Sequence, residues 1–422
     1  MLYYSKGSPT TSFTSEELKK AIFETFEKLG AKKKVLAIPP DFTRFHSRAG
    51  EITNIAYQYY GDKLTDVLPA LGTHYAMTDN EISEMFGDIP KNLFRVHNWR
   101  EDVVTLGTVP GEYVKEVSDG MIDYSWPAQV NKLLVEGDFD LIVSPGQVVP
   151  HEVIGLANYN KNIFVGTGGS EGINKSHFIG AVYGMERIMG RALNPVRKVL
   201  NYASDNFAKD LPILYIQTVL STGDDGKLHI RGLFIGDDFE CFEKAAELSI
   251  QVNFKMMDRE MKKVVVYLDP HEFKSTWLGN KSVYRTRMAI ADGGELIVLA
   301  PGLAEFGEDK TIDGLIRKYG YIGSKKVLEL TNANEDLQNN LGAAAHLIHG
   351  SSEGRFSITY CPGNLTKEEI EGVNFKYADL TEMTKKYDLS KLKDGWNMVD
   401  GEEIFYISNP ALGLWAYKER FK

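Results

Sequence analysis

Residues 13–44 have the sequence FTSEELKKAIFETFEKLGAKKKVLAIPPDFTR, and this stretch decides the fold class. Thr14 and Glu17 have the spacing of a capping box, which predicts the start of a helix, and Gly30 is placed to end it. Val35 to Ile38 is a short apolar run halted by two prolines, so it predicts a buried strand. The polar loop DFTR follows that strand directly.

The same order of elements recurs after this stretch. LTDVLPALGTH, residues 64–74, predicts a further strand or strand pair, and Thr78 with Glu81 predicts a second capped helix. Other elements predicted in this half are strands over Phe139 to Val143 and Asn162 to Gly166 and a helix within Asn174 to Met185. Strands that alternate with helices indicate an α/β fold with a mostly parallel sheet.

A second α/β block begins near residue 262. Its predicted elements are a strand over 264–268, a helix around 284–291, a strand over 295–300, a helix over 335–349, a strand over 356–360 and a capped helix after Thr366. The chain has 422 residues, and single cores stop growing at about 250 to 300. We therefore predict two α/β domains with mostly parallel sheets and an active-site cleft between them. They comprise residues 1–262, which 404–422 could complete, and residues 263–403.

Composition and charge exclude several classes of function. The net charge of -10 argues against nucleic acid or an anionic membrane as a partner, because both reward basic surfaces. Two cysteines, Cys241 and Cys361, have no spacing typical of a disulfide framework or a thiolate metal cage. No apolar stretch of about 18 residues and no leader-like N-terminus is present, so we expect a cytoplasmic protein.

Three histidines have neighbours that favour a functional role. His74, His151 and His177 each lie near small residues that let a ligand approach the backbone. Ligands of open α/β sheets gather beyond the carboxyl ends of strands, and His74 and His151 follow predicted strands, as do Asp41 and Arg44. The three histidines could bind zinc, or they could divide proton transfer and metal ligation among themselves. Five other histidines, for which we expect structural or surface roles, are His97, His229, His271, His346 and His349.

Two further features have no clear function when they are taken alone. Lys161 precedes the predicted strand over 162–166 and could be a solvated edge residue. GTGGSEG, residues 166–172, is the richest glycine cluster, but it lacks the G-x-G-x-x-G spacing and the lysine of a phosphate-binding loop. It predicts a turn about as well as a phosphate contact.

The order of these motifs is more specific than any one of them. DFTR at 41–44, GTH at 72–74, Pro150 with His151, Lys161 and His177 follow one another in a pattern that resembles the lactate racemase family. Members of that family are nickel-pincer nucleotide-dependent racemases and epimerases of 2-hydroxy acids. The resemblance implies an N-terminal domain that binds the cofactor and carries catalysis, and a C-terminal domain that closes over the substrate.

The resemblance also implies roles for single residues. Lys161 would hold the cofactor, a pyridinium-3-thioamide-5-thiocarboxylic acid mononucleotide, by a covalent link, and His177 would ligate its nickel ion. Asp41 would lie near the cofactor. His74 and His151 would be the acid and base that serve the two faces of the substrate, which passes through a 2-keto acid after proton-coupled hydride transfer to the cofactor. Arg44 would bind the substrate carboxylate, because its planar fork can contact both oxygens.

The chain departs from the family pattern at positions that affect the substrate. GLANYNK, residues 155–161, replaces a glycine-rich stretch before the lysine, and Phe45 and His46 stand where proline is common. In SVYRTRM, residues 282–288, Arg285 follows Tyr284 and Met288 replaces a lysine. We expect Tyr284 and Arg285 to bind a substrate more polar than lactate, such as an aldonate or another polar 2-hydroxy acid.

The expected partners are this small molecule and the enzymes that synthesise the cofactor. Two alternatives remain open from the sequence. One is a zinc-dependent hydrolase or lyase with a three-histidine site, and the other is a non-catalytic carboxylate-binding homologue.

Overall fold

The computed structural model describes residues 1–223 and 225–421 and divides into two compact units. The first consists of Met1–Ile179 and Met189–Asn253, and the second of Gly180–Ile188 and the chain from Phe254 onward. The boundary predicted at residue 262 falls inside the strand Met261–Tyr267. Residues 404–421 belong to the second unit.

A six-stranded sheet forms the centre of the first unit. Its strands, in spatial order, are Leu2–Gly7, Leu228–Gly236, Ile213–Thr222, Leu141–Gln147, Val35–Ala37 and Leu64–Val67. The last four strands pair with one another in parallel. Leu228–Gly236 pairs antiparallel with both of its neighbours, Leu2–Gly7 and Ile213–Thr222. The α-helices of this unit are Ser15–Leu29, Ala49–Tyr60, Asp79–Phe86, Gly111–Val117, Leu133–Glu136, Ser170–Tyr183, Pro195–Phe207 and Phe239–Asn253.

Short elements complete the first unit. They are the strand pairs Val103–Val109 with Trp126–Asn131 and Pro150–His151 with Gly155–Leu156, the 3-10 turns Phe42–Ser47, Gly61–Lys63 and Lys91–Leu93, and the π-helix Asn162–Gly166. The core lies between the sheet and the flanking helices. Leu18, Ile22 and Phe26 of the first helix are fully buried in the same cluster as Val35 and Val143, so the amphipathic pattern of that helix is used for packing.

The second unit has a six-stranded sheet of its own. Its strands, in spatial order, are Lys376–Tyr377, Ser357–Pro362, Ile290–Ala300, Met261–Tyr267, Glu402–Ile407 and Gly395–Val399. Only the last pairing is antiparallel. Phe254–Met257 pairs in parallel with Leu414–Tyr417. The helical segments are Met185–Ile188, Thr276–Gly279, Lys281–Tyr284, Lys310–Tyr319, Ser324–Ala333, Glu335–Gln338, Leu341–His349, Lys367–Gly372, Leu380–Lys386 and the 3-10 turn Pro410–Leu412. The predicted α/β class with mostly parallel sheets is confirmed.

Local signals in the sequence located helix starts accurately. Capping boxes are present at Thr14 with Glu17, at Thr78 with Glu81 and at Thr366 with its partner Glu369. In each, the threonine hydroxyl accepts from the backbone of the glutamate, and the glutamate carboxylate accepts from the threonine N–H. Gly30 ends the first helix in a left-handed conformation with φ 72°.

Three predicted elements were wrong in type or extent. Asn162–Gly166, predicted as a strand, is a π-helix with every residue buried, because a short apolar run fits a buried strand and a buried helix equally well. The helix predicted around 284–291 ends at Tyr284, and Ile290 already starts a strand. Ile290 pairs with Met261 in the second sheet, so tertiary pairing overrides the local helical preference. The helix predicted over 335–349 is two helices, and Asn340 caps the second.

Within the described ranges, no helix combines the length and the apolar composition that crossing a bilayer requires.

Candidate active site

His74 and Asp41 form a hydrogen-bonded pair beyond two neighbouring parallel strands. Asp41 follows Val35–Ala37 and His74 follows Leu64–Val67, and these strands pair with each other. Nδ1 of His74 donates to Oδ2 of Asp41 at 2.7 Å, since the carboxylate can only accept. The neutral imidazole therefore presents its Nε2 lone pair. The His74 side chain is 42% exposed, so it can reach a ligand.

Asp41 remains anionic although it is 5% exposed. Burial by itself raises the pKa of this carboxyl, but the hydrogen bond and charge of His74, the Thr43 hydroxyl and the charge of Arg44 outweigh burial and lower it. The Thr43 hydroxyl donates to Oδ1 at 2.5 Å. A fixed carboxylate stabilises the tautomer with hydrogen on Nδ1 and also the imidazolium that forms when Nε2 takes a proton.

The glycine cluster packs behind the His74 loop. The N–H of Gly72 donates to the Gly166 carbonyl at 2.8 Å, and Gly72 has φ 57°, a left-handed conformation that favours glycine. A Cβ on Gly168 would lie 1.9 Å from the Phe164 carbonyl oxygen, and one on Gly169 would lie 2.4 Å from Oε1 of Gln129. Close packing against the Phe164 backbone and the Gln129 side chain therefore explains these glycines without a phosphate.

His151 has the opposite hydrogen-bond polarity to His74. It lies in the short strand Pro150–His151 and is 7% exposed. Its Nδ1 accepts from the Val153 N–H at 3.1 Å, so the neutral ring carries its proton on Nε2. A carboxylate oxygen of Glu152 lies 3.8 Å from Nδ1. Asp41 thus makes Nε2 the basic nitrogen of His74, whereas Nε2 of a neutral His151 is a hydrogen-bond donor.

Lys161 is held as a readily deprotonated amine. It lies deep in the first unit, although solvent reaches part of the side chain. Burial lowers the pKa of Lys161 to about 8, and the charge of Arg44 acts in the same direction. Glu152 and Asp41 oppose these effects without cancelling them. A substantial fraction of this amine is therefore neutral and nucleophilic near physiological pH.

His177 is a neutral imidazole with a fixed orientation. It lies on the helix Ser170–Tyr183, and its Nδ1 donates to the Ile173 carbonyl at 2.7 Å. Burial lowers the pKa of His177 to about 4; the hydrogen bond to Ile173 opposes this effect, and the charge of Lys161 adds to it. Nε2 is left as a lone pair, and a backbone carbonyl on the other nitrogen is the usual support of a metal-binding histidine.

Shared electrostatic interactions place these side chains near one another in the first unit. The charge of Arg44 acts on both Asp41 and Lys161, and the charge of Glu152 acts on both Lys161 and His177. Sequence reasoning missed Glu152 and Thr43. Thr43 lies within the DFTR motif, and Glu152 directly follows His151. A polar side chain beside a candidate site residue was the signal that could have identified them.

The remaining predicted residues lie in the second unit. Tyr284 and Arg285 are buried at the end of the helix Lys281–Tyr284, and their contact with substrate stays a prediction. The guanidinium of Arg287 is hydrogen-bonded within that unit: it donates to the Glu186 carboxylate and to the Ser351 carbonyl, both at 3.1 Å. It is therefore a structural arginine.

The structure does not support a three-histidine zinc centre. Across residues 1–223 and 225–421, no three His, Cys, Asp or Glu side chains are grouped so that they could hold a metal ion. His97, for which a structural role was expected, is buried between two partners. It donates from Nε2 to the Gly168 carbonyl and accepts at Nδ1 from Asn131, both at 2.9 Å.

Fold and site together define a two-unit α/β protein whose first unit carries a carboxylate–histidine pair beyond two parallel strands and a low-pKa lysine directly before a π-helix. Residues 15–188 match the family model of the lactate racemase N-terminal domain, which confirms over this part of the chain the resemblance recognised from the motifs. This family supports a racemase- or epimerase-type function. No curated protein matches the chain.

Two solved structures share the fold over almost the whole chain. A structural-genomics crystal structure of a Thermotoga maritima protein has 26% identity and a TM-score of 0.83, and the match covers 98% of this chain and 100% of that one. The lactate racemase apoprotein from Thermoanaerobacterium thermosaccharolyticum has 17% identity and a TM-score of 0.72, with 96% and 93% covered. The second likeness is one of fold.

Proposed function

We propose that this protein inverts the C2 centre of a polar 2-hydroxy acid, as a racemase or epimerase that uses a nickel-pincer nucleotide. The observation that carries the proposal is that the protein holds Nδ1 of both candidate histidines: Nδ1 of His74 donates to Asp41, whereas Nδ1 of His151 accepts from a backbone N–H. A neutral ring takes a proton at Nε2 and a ring that enters as the imidazolium gives one, so two histidines can serve the two faces of a planar 2-keto acid.

The residues present fit the implied cofactor. The Lys161 amine, with its pKa lowered to about 8, suits a covalent link to a carbonyl or thioacid carbon. His177 offers one neutral Nε2 and so suits a nickel ion whose other ligands come from the nucleotide. When bound, the cofactor supplies the acceptor of the C2 hydride.

The chain's own residues then handle the proton and the carboxylate. Nε2 of His74 removes the hydroxyl proton from a substrate of one hand, and Asp41 stabilises the imidazolium that forms. His151 enters as the imidazolium, with a Glu152 carboxylate oxygen 3.8 Å from its Nδ1, and delivers the proton from Nε2 to the oxygen when the other hand is made. In the reverse direction His151 is the neutral base and His74 enters as the imidazolium. Arg44 binds the substrate carboxylate and, through its charge, helps to keep Asp41 ionised and Lys161 deprotonated.

The substrate is a sugar acid such as an aldonate, or another polar 2-hydroxy acid. Support comes from Tyr284, Arg285 and Met288, which occupy the segment where lactate racemases carry Tyr-Gln and a lysine. Arg287 does not add to this argument, because Glu186 and Ser351 occupy its guanidinium. The enzymes that synthesise the cofactor are the partners needed for maturation, and the cytoplasm is the proposed location.

Co-expression with the cofactor-synthesis enzymes and nickel tests the proposal. We expect wild-type protein to gain the mass of the nucleotide, Lys161→Ala to gain none, and Lys20→Ala, which alters an exposed lysine paired with Glu24 on the first helix, to load like wild type. Loaded protein is then offered single-enantiomer 2-hydroxy acids and aldonates. Wild-type protein without an adduct, or tight binding of these acids without inversion, would overturn the proposal, and the second result would establish a carboxylate-binding homologue.

A further inference from the structure

Arg197 is a buried arginine whose hydrogen bonds converge on one short segment. It lies on the helix Pro195–Phe207 with no exposed surface. Nη2 donates to the Leu156 carbonyl at 2.8 Å, both terminal nitrogens donate to the Asn158 carbonyl at 3.3 Å, and Nη1 donates to Oδ1 of Asn160. Among the ion pairs of the described residues, none involves this guanidinium.

The segment that Arg197 holds has an unfavourable backbone conformation. Asn158 and Tyr159 have φ of 70° and 58°, two successive left-handed residues without a glycine. Asparagine tolerates this region, but a bulky residue such as tyrosine seldom adopts it unless tertiary contacts impose it. Lys161 follows two residues later, directly before the π-helix. The direction of the Lys161 side chain therefore depends on this turn.

Other polar contacts tie the same turn to the sheet and to the helix of Arg197. Nδ2 of Asn158 donates to Oε1 of Gln217 at 2.8 Å, and Nδ2 of Asn160 donates to Oδ1 of Asn201 at 2.8 Å. The guanidinium of Arg197 also lies 4.2 Å from the centre of the Phe242 ring. Arginine suits this position because its planar group offers several donors in fixed directions, which lysine cannot match.

We propose that Arg197 is the positioning residue of Lys161: its guanidinium holds residues 156–160 in the left-handed turn that presents the lysine amine to the cofactor. The inference rests on the proposed function, in which Lys161 is the cofactor anchor. The positioning role explains why the first unit contains a buried arginine, although a buried charge is energetically costly. The burial that imposes this cost lowers the pKa of Arg197 to about 9, and its charge also contributes to the low pKa of Lys161.

Hydrogen exchange and cofactor loading test the proposal in four proteins. These are the wild type, Arg197→Met, Arg197→Lys and the control Arg231→Met, which removes an arginine bonded to Ser221 and the Thr11 carbonyl elsewhere in the unit. In apoprotein we expect Arg197→Met to lose about tenfold or more of the amide protection in residues 156–163, while the central strands stay protected. Adduct formation at Lys161 should slow by a similar factor, and the control should match wild type in both measurements.

Arg197→Lys separates positioning from charge. Lysine keeps the charge but cannot reproduce the converging donors, so we expect protection and loading to remain impaired. Full recovery with lysine, or unchanged protection and loading in Arg197→Met, would overturn the proposal. If wild-type protein takes no adduct, the proposed function fails, whereas the exchange data on apoprotein still decide whether Arg197 orders the turn. If Arg197→Met does not fold, Arg197→Lys decides the outcome.

Discussion

Nδ1 of His74 lies 2.7 Å from Oδ2 of Asp41, at the ends of two adjacent parallel strands. The Asp41 carboxylate fixes the tautomer of His74. It holds hydrogen on Nδ1, so Nε2 is the nitrogen that can accept a proton. His151 bonds through the same ring nitrogen with the opposite polarity.

Asp41→Asn tests the pair directly. An amide can still form a hydrogen bond but does not stabilise the imidazolium, so we expect kcat per loaded cofactor to fall by about 10² to 10³. Thr43→Val is the matched control, because it removes the other donor to Asp41 and leaves His74 bonded; we expect a loss of less than about tenfold. Steady-state kinetics in both directions measures this, and a small loss in Asp41→Asn would show that the carboxylate is not needed.

Lys161 should titrate in a range set by its neighbours. Labelling of the apoprotein amine should rise with pH through about 8, because only the neutral amine reacts and the pKa of Lys161 is lowered to about 8. Arg44→Met removes a positive charge that lowers this pKa, so the midpoint should move up. Glu152→Gln removes a charge that raises it, so the midpoint should move down. Peptide-resolved labelling across a pH series measures both shifts, and shifts of the same sign in the two variants would contradict the electrostatic assignment.

His177→Ala should separate metal binding from cofactor attachment. The imidazole offers Nε2 to the metal, while Lys161 makes the covalent link, so we expect the nucleotide adduct to remain and nickel per adduct to fall by about 10- to 100-fold. Intact mass and metal analysis of the same sample give the two quantities. His97→Gln is the control, since His97 bonds to Gly168 and Asn131 and should retain nickel. Equal nickel in both variants would remove His177 from the metal site.

Gly168→Ala should destabilise the first unit. Its Cβ would overlap the Phe164 carbonyl oxygen, and such overpacking costs about 1–3 kcal/mol or more in the free energy of unfolding. Gly314→Ala is the control, because Gly314 lies in the helix Lys310–Tyr319 with open space around a Cβ and should gain about 0.5–1 kcal/mol. Urea denaturation measures both, and a neutral Gly168→Ala would reopen a ligand-binding role for the glycine cluster.

The sequence by itself determined the α/β class and the starts of the three helices with capping boxes, and it predicted the set of site residues from Asp41 to His177. A capping box joins residues three positions apart, and a polar loop directly follows the strand that it ends. Both signals are local in sequence and can therefore be predicted without the tertiary structure. The residues alone left open whether the three histidines bind zinc or divide proton transfer and metal ligation among themselves. The resemblance to the family added a role for each of them.

Tertiary structure decided the hydrogen-bond polarity of the histidines, the π-helix after Lys161 and the place of Arg197. Each depends on partners distant in the chain: Asp41 for His74, and Arg197 for the turn at Asn158. A short apolar run such as 162–166 carries no periodicity that separates strand from helix, so packing alone selects its conformation. The tertiary structure also sets the pKa of Lys161, because this pKa depends on the burial of the amine and on the charges of Arg44 and Glu152.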